Sequence, residues 1–250
     1  SAIQFSSDIV EVINASDVII IAVPSIHIVS CLANVEAKHL EGKKIVSAVK
    51  GVLPIHNILL HQYLEKVYHF PLENYFTLLG PSHAEEVAAE QLSYLTFSGI
   101  DEVETTIIAS YFKSEYINTI VNKDVIGVQY AGVAKNIYAL GAGIAHGLGY
   151  GDNFQSVLVA NAAGEMKRFL NAIREGMEQS IDHAASVYLG DLLVTCYSLF
   201  SRNRSFGNMI GKGYSVEAAK ISMQMVAEGY PASKAMMEIN QQIGANIDRK

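Results

Sequence analysis

Cysteine, proline, charge and long apolar runs are all scarce in this chain. Only Cys31 and Cys196 occur, far apart and in no Cys-x-x-Cys pair. That argues against a disulfide framework or a zinc cluster and fits a reducing, cytoplasmic compartment. The longest aliphatic run, residues 18–23, is far shorter than the roughly 18 residues needed to cross a bilayer, and no basic segment precedes an apolar one as in a signal peptide. The sequence therefore reads as soluble, untargeted and without a membrane span. Charged residues make up 17% of the chain and sum to −7, with no basic run. Nothing offers the positive face that a nucleic-acid backbone requires, so a bound anion must be held locally. The eight histidines form no His-Glu-x-x-His or similar spacing, and no metal is expected. Internal repeats and low-complexity segments are also lacking.

What is present is a globular composition. Half of the 250 residues are apolar and glycine is frequent, which excludes a disordered chain and allows one large or two moderate domains. The first half alternates short apolar runs with helical stretches, as in a parallel sheet with crossover helices, so an α/β domain is expected. Candidate strands are residues 18–23, 45–49, 75–79, 92–97 and 117–121, with helices at 26–35, 57–67 and 103–113 between them. Residues 18–23 show no polar alternation and are expected to form a central strand buried on both faces. After about Asp124 no further strand pattern occurs. Residues 126–147 are rich in Gly and Ala, which predicts a central helix closely approached by its neighbours, despite a cost of roughly 1 kcal/mol per Gly relative to Ala. Asp152-Asn153 is expected to cap a helix running to about residue 173, Ser215 to start another, and Pro231 to sit in the first turn of a last one.

Several residues stand out chemically. Lys135 is the only charge between Asp124 and Asp152. A lysine in low dielectric is pushed toward the range of a general acid or base, whereas a snorkelling side chain would keep its charge in water. Asn136 beside it can orient a substrate or cofactor amide, or make an ordinary helix hydrogen bond. Asp191, among apolar neighbours after Gly190, either finds a cationic partner or caps a helix. Ser201-Arg-Asn-Arg204 sets a guanidinium fork beside hydroxyl and amide donors, suited to a phosphate monoester, although a solvated arginine pair has the same sequence. Lys50-Gly51 and Gly80-Pro-Ser-His-Ala-Glu-Glu86 each follow a strand at its carboxyl end, where open α/β sheets bind ligands; as simple turns they need no ligand.

In order, Ala22-Val-Pro-Ser25, Ala48-Val-Lys-Gly51, Gly80-Pro-Ser-His-Ala-Glu-Glu86, Gly132-Val-Ala-Lys-Asn136, Gly190-Asp-Leu-Leu-Val-Thr195, Ser201-Arg-Asn-Arg204 and Val226-Ala-Glu-Gly229 resemble the bacterial NAD(P)-dependent glycerol-3-phosphate dehydrogenase family. The resemblance implies an α/β chain: a partial Rossmann-type nucleotide-binding domain, residues 1–123, followed by an all-helical substrate domain, residues 124–250, with the active site between them. It implies hydride transfer between NAD or NADP and glycerol 3-phosphate or dihydroxyacetone phosphate, supplying glycerol 3-phosphate for phospholipid synthesis. By the same resemblance Lys135 is the general acid/base, Lys50 a second active-site lysine touching substrate and cofactor, and Asp191 the orienting carboxylate. Ser201, Arg202 and Asn203 hold the phosphate end, and Gly80 and Ser82 also border the substrate. Pro24, Ser25, Lys50, Gly80, Ser82, Ala84, Arg202, Val226 and Glu228 form the cofactor set.

The sequence departs from the family in three places. No Gly-x-Gly-x-x-Gly turn occurs, so the chain is expected to begin late in the nucleotide domain. It stops at Asn246-Ile-Asp-Arg-Lys250, before the family's final helices, and Asn161 stands where many members carry Arg. The choice between NAD and NADP is left open, as is a homodimer. A related two-domain hydroxy-acid dehydrogenase and a catalytically silent interaction protein are the alternatives.

Overall fold

The computed structural model describes residues 3–54, 56–174, 182–223 and 227–243. Asp8 starts the first helix, α1 (Ile9–Asn14), by accepting hydrogen bonds from the amides of Val10 and Glu11. There follow β1 (Val18–Ile21), α2 (Ile28–Cys31), β2 (Lys44–Ser47), α3 (Leu60–Tyr68), β3 (Tyr75–Leu79), α4 (Ala84–Ala88), β4 (Ser93–Ser98), α5 (Glu102–Ser110) and β5 (Ile117–Asn122). The strands form one sheet in the order β1-β2-β3-β4-β5. Side chains alternate between its faces. Ile45 and Tyr75 join a core with Ile21, Leu60 and Leu64, whereas their neighbours Val46 and Phe76 pack with Phe97, Ile108 and Ala109 under α5.

Two expectations fail here. The sheet is mostly parallel, but β3 and β4 run antiparallel, pairing Thr77 with Ser98 and Leu79 with Thr96. The connection between them holds only the five-residue α4, too short a helix to return the chain along the sheet for a parallel crossover. Residues 18–23 are not a strand buried on both faces: β1 ends at Ile21, Ile20 is 50% exposed, and among the described residues β1 pairs with β2 alone. The continuous apolar run does not specify which side of the strand is covered.

The second half is helical throughout its described residues: α6 (Val125–Gly147), α7 (Asp152–Ile173), a wide turn at Ser186–Gly190, α8 (Asp191–Tyr197), α9 (Arg202–Gly211), α10 (Val216–Met223) and α11 (Gly229–Ile243). The carboxylate of Asp124 caps α6 through the Gly127 amide at 3.0 Å, receives the Tyr188 hydroxyl at 2.5 Å and pairs with Arg174 at 3.0 Å. Helix α6 is central, as its composition predicts. Its glycines meet those of α9 so closely that a Cβ on Gly143 would lie 2.0 Å from the Arg204 carbonyl oxygen, and one on Gly207 would lie 2.0 Å from that of Leu140. A buried polar chain ties α6 to the sheet: the Tyr75 hydroxyl donates to Gln129 Oε1, and Gln129 Nε2 donates to His61 Nδ1.

Ser215 Oγ accepts from the Ala218 amide at the start of α10, and Pro231 lies in the first turn of α11. Asp152, however, is not a cap. Gly151 occupies that position with extended backbone, and Asp152 is the first-turn acid, where the helix dipole favours it. Among the described residues no helix is long and apolar enough to cross a membrane.

Candidate active site

The carboxyl ends of β1, β2 and β3 open onto a cavity of about 470 Å³, closed on its other side by α6, α8 and the start of α9. From the sheet come Pro24, Lys50, Ser82 and Ala84; from the helical half come Lys135, Asn136, Asp191, Ser201, Arg202, Asn203 and Glu228. Of the site residues inferred from sequence and described in the structure, Ser25 and Gly80 do not line this space. Ser25 borders a neighbouring cavity of about 450 Å³ that shares Glu228. Gly80 shapes the rim instead: its φ of +122° turns the chain out of β3, and Ser82 Oγ donates to its carbonyl. Val226 lies outside the described residues, and Asn161 is exposed on α7, away from the cavity.

Lys135 does not snorkel. It is only 4% exposed, and its ammonium is ion-paired with Asp191 Oδ1, whose side chain is equally buried. Asp191 is likewise not a cap, since it is the first residue of α8 after Gly190. Burial lowers the Lys135 pKa to about 8, the Asp191 carboxylate opposes that shift, and the Lys50 charge adds to it. The second carboxylate oxygen of Asp191 is buried with no partner among the described residues. Asn136 Nδ2 donates to the Lys50 carbonyl at 3.4 Å, joining α6 to the loop after β2.

The Ser201–Asn203 cluster is built around helix starts. Ser201 caps α9, with its Oγ accepting from the Arg204 amide, and Asn203 Oδ1 accepts from the Gly229 amide at the start of α11 at 2.8 Å. Arg202, the first residue of α9, is exposed on the cavity rim. The amino end of a ten-residue helix therefore faces the same space as the lysines, and such an end favours an anion.

Some lining residues were given no individual role by sequence reasoning, although Thr195 and His83 lie in motifs that it quoted. Thr195 donates its hydroxyl to the Asp191 carbonyl at 2.6 Å; its position four residues after Asp191 on one helix was a usable signal. His83 and Phe200 also border the cavity, and neither had a spacing signal. Cys196 lies beneath, its thiol pushed up to about 12 by burial, which makes it a poor nucleophile.

A mostly parallel sheet whose strand ends face a helical half bearing a buried Lys–Asp pair is an arrangement suited to binding a ligand and moving a proton. The comparisons with known proteins give the class, an NAD-dependent dehydrogenase. Residues 1–104 match the NAD-dependent glycerol-3-phosphate dehydrogenase N-terminus and residues 124–248 the corresponding C-terminus. The chain is 34% identical over 238 residues to the glycerol-3-phosphate dehydrogenase (NAD(P)+) of Chlorobium chlorochromatii, spanning 95% of this chain and 71% of that protein. It is 35% identical over 242 residues to the enzyme of the same description from Chlorobium phaeobacteroides, spanning 96% and 72%. This chain belongs to the NAD-dependent glycerol-3-phosphate dehydrogenase family. In fold it is similar to the crystal structure of the glycerol-3-phosphate dehydrogenase from Coxiella burnetii, with a TM-score of 0.84 at 24% identity over 95% of this chain and 71% of that one.

Proposed function

We propose that the chain catalyses reversible hydride transfer between NAD(P)H and dihydroxyacetone phosphate, giving sn-glycerol 3-phosphate, between a nucleotide-binding part, residues 1–123, and a helical part, residues 124–250. The observation that carries this is the buried Lys135–Asp191 pair beside Lys50, in one cavity with the amino end of α9. Lys135 gives its proton to the ketone oxygen as that oxygen gains charge, and takes it back in the reverse direction. Asp191 holds the amine with one oxygen and keeps the other for substrate. Lys50 adds positive charge where the oxyanion develops. Ser201, Arg202 and Asn203 bind the phosphate, whose charge suits both the guanidinium and the helix end.

The residues fit a nicotinamide cofactor. The cavity lies within the usual range of roughly 300–1,000 Å³ for cofactor sites, and small residues border it, Ala22 and Ala48 at the strand ends and Ala84 at the start of α4. When bound, the cofactor supplies or accepts the hydride. Pro24, Ser25, Lys50, Gly80, Ser82 and Ala84 would hold it from the sheet side, and Arg202 and Glu228 from the helical side; Val226 joins this set on resemblance alone.

A cytoplasmic location belongs to the same proposal, supported by two cysteines that are both free. So does a homodimer, supported by the exposed apolar side chains Val157 on α7 and Leu193 and Tyr197 on α8; sedimentation of the purified protein tests it. The activity is tested by following NADH and NADPH oxidation with dihydroxyacetone phosphate and, separately, with a 2-oxo acid. Turnover of the phosphate alone supports the proposal, and turnover of the 2-oxo acid alone overturns it.

A further inference from the structure

His83 stands in the loop between β3 and α4 and lines the cavity, and its Nε2 is buried without a hydrogen-bond partner among the described residues. A buried polar atom of this kind is destabilising unless something else completes it. The ring lies 6.1 Å, centroid to centroid, from Phe200, the residue before the Ser201 cap of α9. Burial, followed by the charges of Lys135 and Lys50, lowers its pKa below the usual imidazole value, while Glu86 and Glu85 oppose the shift. That shift favours the neutral ring, in which one nitrogen donates and the other accepts.

The substrate under the proposed function has three polar parts: a phosphate, the reacting oxygen and a free terminal hydroxyl. The first is matched by the start of α9 and the second by Lys135, Lys50 and Asp191. A neutral imidazole adds little to a cationic phosphate site but suits a neutral hydroxyl, which can also donate or accept. We propose that His83 Nε2 hydrogen-bonds the free hydroxyl of the three-carbon phosphate, which makes His83 a specificity-determining residue for hydroxylated over deoxy substrates. This inference rests on the dehydrogenase reading.

The test uses saturating cofactor and three ketones: dihydroxyacetone phosphate, its deoxy analogue hydroxyacetone phosphate (acetol phosphate), and unphosphorylated dihydroxyacetone. A site that pairs a hydroxyl discriminates against the analogue lacking it, so the wild type should prefer dihydroxyacetone phosphate over acetol phosphate in kcat/KM by about tenfold or more. In His83→Leu that preference should shrink to about twofold or less, while the preference for the phosphate over unphosphorylated dihydroxyacetone is retained. His83→Gln, which keeps a neutral donor and acceptor, should restore part of the hydroxyl preference. A preference that survives His83→Leu, a loss equal on all three substrates, or a loss confined to the phosphate preference overturns the inference. A wild-type hydroxyl preference below about twofold overturns it without any variant. If the wild type fails to reduce dihydroxyacetone phosphate at all, the dehydrogenase reading itself fails; if it does reduce it, only the assignment of His83 is at stake.

Discussion

Glu228 Oε1 accepts two hydrogen bonds from Ser25, one from the amide at 2.9 Å and one from Oγ at 3.0 Å. These residues are 203 positions apart, and their contact joins the loop after β1 to the turn before α11, between the main cavity and its neighbour. Gly51 packs against the junction: a Cβ there would lie 2.3 Å from Ser25 Oγ and 3.3 Å from Glu228 Oε1. Three distant segments thus meet at Glu228, which borders both the main cavity and the neighbouring one.

Glu228→Ala removes both bonds and should lower stability by about 1–3 kcal/mol, since hydrogen bonds to a charged group are at the stronger end of the range. Gly51→Ala should displace Ser25 and act in the same direction without altering any charge. Both variants should also bind NAD(P)H more weakly. Denaturant unfolding and fluorescence titration of the cofactor check the two effects, and variants unchanged in both would show that the junction is incidental.

Lys135→Ala removes the proposed proton donor while leaving the contacts proposed for phosphate and cofactor. Turnover should fall about 10²–10⁴-fold, the usual contribution of general acid–base catalysis, with little change in substrate binding. Steady-state kinetics with dihydroxyacetone phosphate, together with cofactor titration, measure the split.

The pH dependence follows from the lowered Lys135. Below about pH 8 the group carries its proton, and above it the amine is neutral. Reduction of the ketone needs the protonated form, so its rate should fall as pH rises through about 8; oxidation of glycerol 3-phosphate needs the neutral amine and should rise through the same range. Burial lowers the midpoint most, Asp191 raises it and Lys50 lowers it further. Rates in both directions from about pH 7 to about pH 10, in wild type and Lys135→Ala, test the assignment. A reduction rate flat across that range would place the proton elsewhere.

The strands were readable from apolar runs, and β3 was bounded correctly at both ends, because Tyr75–Leu79 is flanked by Asn74 and Gly80. Pairing was not readable, since a run of isoleucines does not specify on which side of β1 a neighbour lies. The antiparallel β4 was signalled only by the shortness of its connection. For the site, Lys135 was conspicuous as a lone charge, but whether it reached water depended on Asp191, 56 residues away on another helix. Spacing does not reveal such partners. The Ser25–Glu228 junction has no local sequence signature, because both residues are ordinary polar groups until the chain brings them together.

The contact of α6 with α9 yields a paired prediction. Gly207→Ala places a methyl group 2.0 Å from the Leu140 carbonyl oxygen, and overpacking of this kind should destabilise by about 1–3 kcal/mol or more. At Gly141, on the same α6 helix, a Cβ meets nothing within 4 Å. Gly141→Ala should therefore stabilise by up to about 1 kcal/mol through helix propensity alone. Thermal or denaturant unfolding should give opposite signs, and equal signs would contradict the close approach of the two helices.

Arg202 tests the substrate class. It is the first residue of α9, exposed on the rim of the cavity that holds Lys135, and its planar fork can grip two phosphate oxygens where a lysine offers a point charge. Arg202→Lys should therefore not be conservative. A charge-assisted hydrogen bond is worth roughly 1.5–3 kcal/mol, so kcat/KM for dihydroxyacetone phosphate should fall by at least about tenfold. Unphosphorylated dihydroxyacetone has nothing for Arg202 to hold, so its kcat/KM should change little and the preference for the phosphorylated substrate should shrink. Cofactor must be saturating in both assays, because the same guanidinium belongs to the proposed cofactor set. Equal losses on both substrates would assign Arg202 to the cofactor or to folding, and no loss on either would make it a solvated arginine at the start of a helix.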